Sequence, residues 1–517
     1  MISNKMRRAV DYLNRGAMDP ARFLLEGIIH HDPNNAEAHY LLCRVALAKK
    51  DLHSACRHAQ NAGAAQRGLN ELGLEIVNLL ISLGESRAAK DLLAKFNHAG
   101  NDNQELFEGM AAAYQLLHMH NEALNVFRNA HEKQDLSQDQ LYRYAIMLNF
   151  CGDLKSSVKI LSDLAHNGFG IGRAYLDIVM TDPAGKVTDH LALLNARLSN
   201  VMVDSEHQAA LLFAKFHVLH KLHRYGDAWH ALLEANSIMH KRRGYDAERE
   251  RRLVAGIKKS FITLSSGNQH VPLRAGPVPI FVLGLPRSGT TLLERMLTKH
   301  SAIASAGELI DFDRQLRWVA NMPGAFLLDD ALVDAMARID LVKLGQRYLQ
   351  QSSWHAHGKF FYVDKQPANF WFAGLIKRAI PQARIIYIRR APLDVCFSNY
   401  KAMFGDSYEY SYDLMALATH YSLHRDLMRF WLDSVPNAIL EIHYEDLVLD
   451  TACTMGRIFD YCGIQLEPAC LDGSDNDSPV ATLSSTQVRQ PIHTQSLAEW
   501  RPYAEHLINL QKELGID

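Results

Sequence analysis

The run PIFVLGLPRSGTTLLERML, from Pro279 to Leu297, decides the fold of the second half of this chain. Pro279 to Leu283 form a short apolar run of the kind a buried strand uses, and Leu292 to Leu297 continue with helical character. Between them lie Gly284-Leu285-Pro286-Arg287-Ser288-Gly289-Thr290-Thr291. Glycines at both ends allow a tight turn whose backbone N–H groups converge on an anion, reinforced by the positive end of the helix. A nucleoside triphosphatase loop reads GxxxxGK[ST], with the Lys on the outer phosphates and the hydroxyl on magnesium. Here Thr290 stands at the Lys position and the added cation is Arg287, inside the loop. That exchange argues against NTP hydrolysis. It suits a donor with one bridging phosphate and a terminal monoanion, held by hydroxyls, amides and one guanidinium.

Upstream, Ala21, Ala55, Ala89, Ala123 and Ser157 recur every 34 residues. Four residues after each come Leu25, Ala59, Leu93, Phe127 and Leu161; twelve before each come Ala9, Cys43, Val77, Ala111 and Ala145. Small residues in fixed phase let two helices approach closely while larger apolar ones fill the seam. The period and pattern resemble the tetratricopeptide helix–turn–helix repeat, and about five units are expected from the start to near His166. RYGDAWHALLEANSIMHK around Ala228 reads as one further, shifted unit. The expected division is repeats over 1–166, a further helical region and linker over 167–270, and a second domain over 271–517. The arm reads either as a scaffold packed on that domain or as a groove for an acceptor protein or self-association.

Downstream, ARIIYIRRAPLDVCFSNY reads as a buried strand ending in Arg389 and Arg390, then a helix from Pro392 that carries Ser398. SAGELIDF supplies Glu308, YVDKQPANF supplies Lys365, and LSSTQVRQPIHTQSLAEW lies near the C-terminus. Taken in order, these elements resemble the sulfotransferases that use 3′-phosphoadenylyl sulfate, in particular the tyrosylprotein branch and tetratricopeptide–sulfotransferase fusions. The resemblance runs from about Val278 to the C-terminus.

It implies an N-terminal α-solenoid followed by a P-loop-like α/β domain with a parallel sheet, on strands near 279–283, 360–364, 385–389 and 438–442. It implies that Arg287, Ser288, Gly289, Thr290 and Thr291 wrap a 5′-phosphosulfate, and that Arg390 and Ser398 grip a 3′-phosphate. Glu308, placed just after the helix that follows the loop, becomes the general base, with Asp311 and Asp313 as the neighbouring alternatives. Lys365 stabilises the leaving oxygen, and Ser484 is the transition-state serine. Tyr444 stands beside the adenine, and Thr486, Gln487, Val488 and Arg489 open a flap that runs to His493. Gln490 and Glu499 depart from the branch, which carries Lys there. The implied donor is 3′-phosphoadenylyl sulfate and the implied product adenosine 3′,5′-bisphosphate, with no metal. The acceptor is a protein or peptide tyrosine or a small hydroxyl compound, and FGDSYEYSYD (Phe404 to Asp413) is either its rim or an exposed loop. Two rivals stay open: a P-loop-type nucleotide kinase or NTPase, and a non-catalytic nucleotide-binding repeat scaffold.

Composition narrows the partners. A net charge of -2 over 517 residues gives no global attraction to nucleic acid or anionic membrane. No stretch approaches the roughly 20 apolar residues of a membrane span. The basic N-terminus has no apolar run behind it, so no secretory signal is expected. The 7 cysteines lack CxxC spacing and read as reduced thiols of a cytoplasmic protein. The 26 histidines are scattered and outline no metal site.

Overall fold

In a computed structural model the chain is described except at residues 1, 98–105, 134, 168–171, 182–186, 266–270, 325–327, 475–477, 484, 486, 490 and 517. It is 68% helical. Five helix pairs open it: Ile2–Asn14 with Met18–His31, Ala36–Ala48 with Leu52–Ala65, Glu71–Ser82 with Ser86–Asn97, Phe107–Leu116 with His120–Lys133, and Gln138–Phe150 with Leu154–His166. The 34-residue phase is the packing seam. Ala21, Ala55, Ala89, Ala123 and Ser157 all have 0% exposure, facing Ala9, Cys43, Val77, Ala111 and Ala145 at 1% or less. Where the alanine is exchanged for Ser157, its hydroxyl donates to the Ala145 carbonyl at 2.8 Å, so the buried polar atom is satisfied. Side-chain caps start several of these helices, among them Asn35, Asp51, Asn70 and a full capping box at Ser137 and Gln140.

A second period accompanies the first. The turn inside each pair holds one residue in the left-handed region: Gly16 (φ 74°), Lys50 (59°), Gly84 (75°), His118 (57°) and Gly152 (93°). Three of these turns lean on the second half of the chain. A Cβ at Gly84 would sit 2.8 Å from Arg314, one at Gly152 2.9 Å from Arg489, and the ring of His118 lies against Gly307.

The shifted unit is the pair Glu206–Lys221 and Tyr225–Arg243, with Ala228 fully buried between them. Helix Ala247–Ser265 then turns Leu253, Val254, Ile257, Phe261 and Leu264 into the core that holds Phe281 and Leu283 of the sheet.

That sheet has five parallel strands in the order β2-β3-β1-β4-β5: β1 Val278–Leu283, β2 Ile303–Gly307, β3 Phe361–Asp364, β4 Arg384–Arg389 and β5 Ile439–His443. Four lie where the apolar runs predict them, and β2 is additional. Its sequence, Ile-Ala-Ser-Ala-Gly, is too short and too small-sided to announce a strand. Glu308 therefore follows β2, and not the helix Thr290–Thr298, as the family pattern had implied. No helix among the described residues is long and apolar enough to cross a membrane.

Candidate active site

Each strand ends in a residue of the candidate site. The phosphate loop follows β1, Glu308 follows β2, Lys365 follows β3, Arg390 follows β4, and Tyr444 follows β5. This is where an open parallel sheet presents ligand-binding groups, at the carboxyl ends of its strands.

The loop is held tightly. A Cβ at Gly284 would stand 2.3 Å from the Ile388 carbonyl oxygen, and one at Gly289 2.3 Å from the Tyr444 ring. Gly289 (φ 103°) caps helix Thr290–Thr298 in a conformation that side chains resist. Arg287 is itself left-handed, at φ 66°, an arrangement worth roughly 1 kcal/mol of strain in an L-residue. Its Nε donates to Ser398 Oγ at 3.4 Å, so the loop and the helix Pro392–Tyr400 meet at this guanidinium. Burial, and then the charge of Arg390, pull the Arg287 guanidinium down to about 10.

Arg390 is buried. It donates to the Arg287 carbonyl at 3.1 Å and to the Ser496 carbonyl, and stacks 4.7 Å from the Tyr444 ring centre. Arg389, the neighbour with the opposite strand orientation, instead pairs with Glu441 on β5 at 3.0 Å. A cavity of about 390 Å³ joins Arg287, Gly289, Thr290, Thr291, Arg390, Ser398, Tyr444 and Val488. Three buried atoms here have no hydrogen-bond partner among the described residues: Ser288 Oγ, beneath the loop, Arg390 Nε, and His493 Nδ1 at the cavity wall. Two buried guanidiniums close together, with orphaned buried polar atoms beside them, fit an anionic ligand.

Lys365 is 1% exposed and forms an ion pair with Glu308, with Glu294 at 3.8 Å on its other side. Burial would lower its ammonium, but Glu308 and Glu294 outweigh that and raise it. Thus Lys365 stays charged and Glu308 sits against a fixed cation. Glu308 shares a cavity of about 190 Å³ with Arg287, Thr290 and Thr291, the same three residues that line the larger one. Phe404, Ser407 and Tyr408 close that smaller cavity, which places the FGDSYEYSYD segment at its wall. Asp311 and Asp313 are buried elsewhere: Asp311 accepts from Ser86 Oγ of the arm at 2.9 Å, and Asp313 lies 3.7 Å from Arg317.

In the C-terminal segment, Ser484, Thr486 and Gln490 lie outside the described residues, and Gln487 is described only as part of the short 3-10 turn Gln487–Arg489. The Arg489 guanidinium donates to the Phe150 carbonyl at 2.9 Å and covers Gly152, so it ties the segment to the arm. Past it, Pro491, Ile492, His493, Gln495 and Ser496 line the cationic cavity.

Several lining residues had no expectation attached. Lys401, one turn beyond Ser398, is buried and pairs with Glu499, which also lies 3.6 Å from His220. His217, His220 and Lys221 come from helix Glu206–Lys221 of the arm, and Val179 and Met180 from helix Gly172–Thr181. The only sequence signal was for Lys401, three residues after Ser398 on one helix face.

Comparison with known proteins finds similarity in both halves of the chain. The family model described as "Sulfotransferase family" matches residues 279–468. A protein of Aquifex aeolicus (strain VF5), described as uncharacterized, is 28% identical over 401 residues, covering 75% of this chain and 51% of its own length. The chain thus spans about half of that relative. A putative protein-tyrosine sulfotransferase of Caenorhabditis briggsae is 22% identical over 233 residues, 43% of this chain and 80% of that protein. Among solved structures, the sulfotransferase domain from the curacin biosynthetic pathway covers 47% of this chain and 99% of its own at 19% identity, with a TM-score of 0.30. A tetratricopeptide repeat protein from Parabacteroides merdae ATCC 43184 covers 48% and 94% at 17% identity, with a TM-score of 0.32.

Proposed function

We propose that this chain, a tetratricopeptide-repeat protein with a sulfotransferase-family domain, moves a sulfuryl group from 3′-phosphoadenylyl sulfate to an acceptor hydroxyl. One observation carries the reading: Arg287, Thr290 and Thr291 line both the cationic cavity and the one that holds Glu308. That shared lining supports adjoining places for an anionic donor and an acceptor, with the loop between them.

The bound donor would supply an activated sulfur whose bond to the bridging phosphate oxygen breaks as a bond to the acceptor oxygen forms. The rest is assigned to this chain's side chains. Glu308 takes the acceptor's proton. Lys365 stabilises the electron pair left on the leaving oxygen. Arg287, Thr290 and Thr291 hold the anionic end of the donor, and Arg390 and Ser398 hold its second phosphate. Arg390 on the face of Tyr444 leaves that ring as one wall for a nucleoside. A protein or peptide tyrosine is the acceptor we favour, in line with the description of the Caenorhabditis briggsae relative.

The test is transfer of radiolabelled sulfate from the donor to a tyrosine-peptide and phenol panel by the full chain. Glu308→Gln should lose about 10²–10⁴-fold in rate while still binding adenosine 3′,5′-bisphosphate. Full activity in that variant would remove Glu308 from the base role, and no transfer by the wild type to any acceptor would remove the reading.

A further inference from the structure

The left-handed turn position is glycine in three of the five repeats, at Gly16, Gly84 and Gly152. Side chains are disfavoured in that conformation, so a non-glycine residue there needs a reason. Lys50 is one exception and faces solvent. His118, in the fourth repeat, faces the catalytic half of the molecule.

Its surroundings are those of an active-site residue. The ring lies on Gly307, so that a Cβ there would come within 2.8 Å of His118 Nδ1, and Gly307 is itself left-handed at φ 75°. Glu308, the next residue, lines the same cavity as His118. A cavity of about 340 Å³ separates the two halves here, lined by His118 and His120 on the arm and by Ser305, Glu308 and Lys365 opposite. Burial, and then the charge of Lys365, hold the His118 imidazole down at about 4, so it is neutral at physiological pH. A neutral ring beside a Lys–Glu pair adds no charge to compete with it. Glu308 stands one residue past β2 and three before helix Asp311–Ala320, in the short connection between them, where the ion pair with Lys365 holds its carboxylate from the other side.

We infer that His118 is a positioning residue for the reaction: the turn of the fourth repeat clamps the backbone at Gly307 and Glu308 and so sets the direction of the Glu308 carboxylate. The arm is then part of the active site and not only a scaffold or a docking groove. For the reaction this rests on the sulfuryl-transfer reading; the contact stands independently of it.

His118→Gly supplies the test, because it restores the residue that three sister repeats carry and relieves the backbone while deleting the ring. In the full chain, its thermal midpoint should match or exceed the wild type, and its affinity for adenosine 3′,5′-bisphosphate should stay within twofold. Its kcat should fall by at least tenfold, and His118→Asn, which tolerates the same backbone and keeps a hydrogen-bonding group, should recover part of the loss. Undiminished kcat in His118→Gly overturns the proposal, as does a loss of kcat matched by an equal loss of stability and nucleotide binding. A readout free of catalysis separates this from failure of the transfer reading. The ring nitrogens of His118, assigned by their loss in His118→Gly, should show one fixed neutral tautomer at pH 5.5 and should move in Glu308→Gln. A ring that titrates like an exposed histidine and ignores that substitution overturns the contact, whether or not the wild type transfers sulfate.

Discussion

Glu85, at the turn of the third repeat, and Arg347, on helix Leu341–Ser352 of the α/β half, form a buried ion pair at 2.6 Å. Around it, Gln351 and Gln60 donate to the second Glu85 oxygen at 2.9 and 2.7 Å, and Arg347 Nε donates to Gln315 at 3.0 Å. Gln315 in turn donates to the Gly84 carbonyl at 2.8 Å, and the Arg347 guanidinium lies 4.1 Å from the Trp318 ring centre. The network is closed, so every buried charge in it has a partner. Removing one partner is costly because the other charge stays buried. Glu85→Ala should destabilise the chain by about 3–5 kcal/mol in urea unfolding, with Glu85→Gln costing less and Glu85→Leu paired with Arg347→Met recovering most of the loss. A cost below about 1 kcal/mol for Glu85→Ala would mean that arm and domain are not locked through this pair.

The two adjacent arginines at the end of β4 should separate cleanly in binding. Arg390 is buried in the cationic cavity, whereas Arg389 is half-exposed and already paired with Glu441. Losing one charge-assisted hydrogen bond is worth about 1.5–3 kcal/mol, so Arg390→Ala should weaken adenosine 3′,5′-bisphosphate by about 10- to 100-fold in calorimetry. Arg389→Ala should stay within about twofold. Equal losses would show that the second phosphate is not read at Arg390.

These residues also mark what a sequence can and cannot disclose. Local rules reached the 34-residue phase because small side chains in a helix seam leave a periodic trace, and four of the strands because buried parallel strands are continuous apolar runs. The residues that follow strands, such as Arg390 and Lys365, were legible for the same reason. The strand β2 was not, since Ile303–Gly307 draws its stability from pairing with β3 and has little β-preference of its own. Nor were His217 and His220, which reach the cavity through tertiary packing that no spacing encodes. The tie of Arg489 to Phe150 was not legible either, because a basic residue that lines a cavity and one that anchors its segment to a helix end look alike in one dimension.

Acid should probe the Glu499–Lys401 contact. Burial would raise the Glu499 carboxyl, but the charge and hydrogen bond of Lys401 outweigh it and bring it from 4.5 to about 2. The folded chain therefore binds this proton more weakly than the unfolded one. The resulting stability is complete above about pH 4.5 and is lost as pH falls towards about 2. Glu499→Gln should accordingly lower the thermal midpoint at neutral pH, and the gap to wild type should close as the pH drops through that window. A gap that is constant with pH would mean that the carboxylate is not what Lys401 needs.

The end of helix Gln138–Phe150 governs the C-terminal segment. Asn149 is 6% exposed; its amide donates to Thr181 Oγ1 at 2.7 Å, and its carbonyl accepts from Ser485 Oγ at 2.9 Å. The next carbonyl, Phe150, accepts from Val480 N at 2.8 Å and from Arg489 at 2.9 Å. Val488 of this tethered stretch lines the cationic cavity, while Val480, Ala481 and Thr482 line the Glu308 side. One helix end in the arm thus holds a strap across both ends of the site. Asn149→Ala deletes two side-chain hydrogen bonds, and at about 1 kcal/mol net for each the variant should lose about 2 kcal/mol of stability. If the strap retains the nucleotide, dissociation of adenosine 3′,5′-bisphosphate measured by stopped flow should also accelerate, by about fivefold, with association little changed. Lost stability at an unaltered dissociation rate would leave Asn149 a packing residue and free the strap from control by the arm.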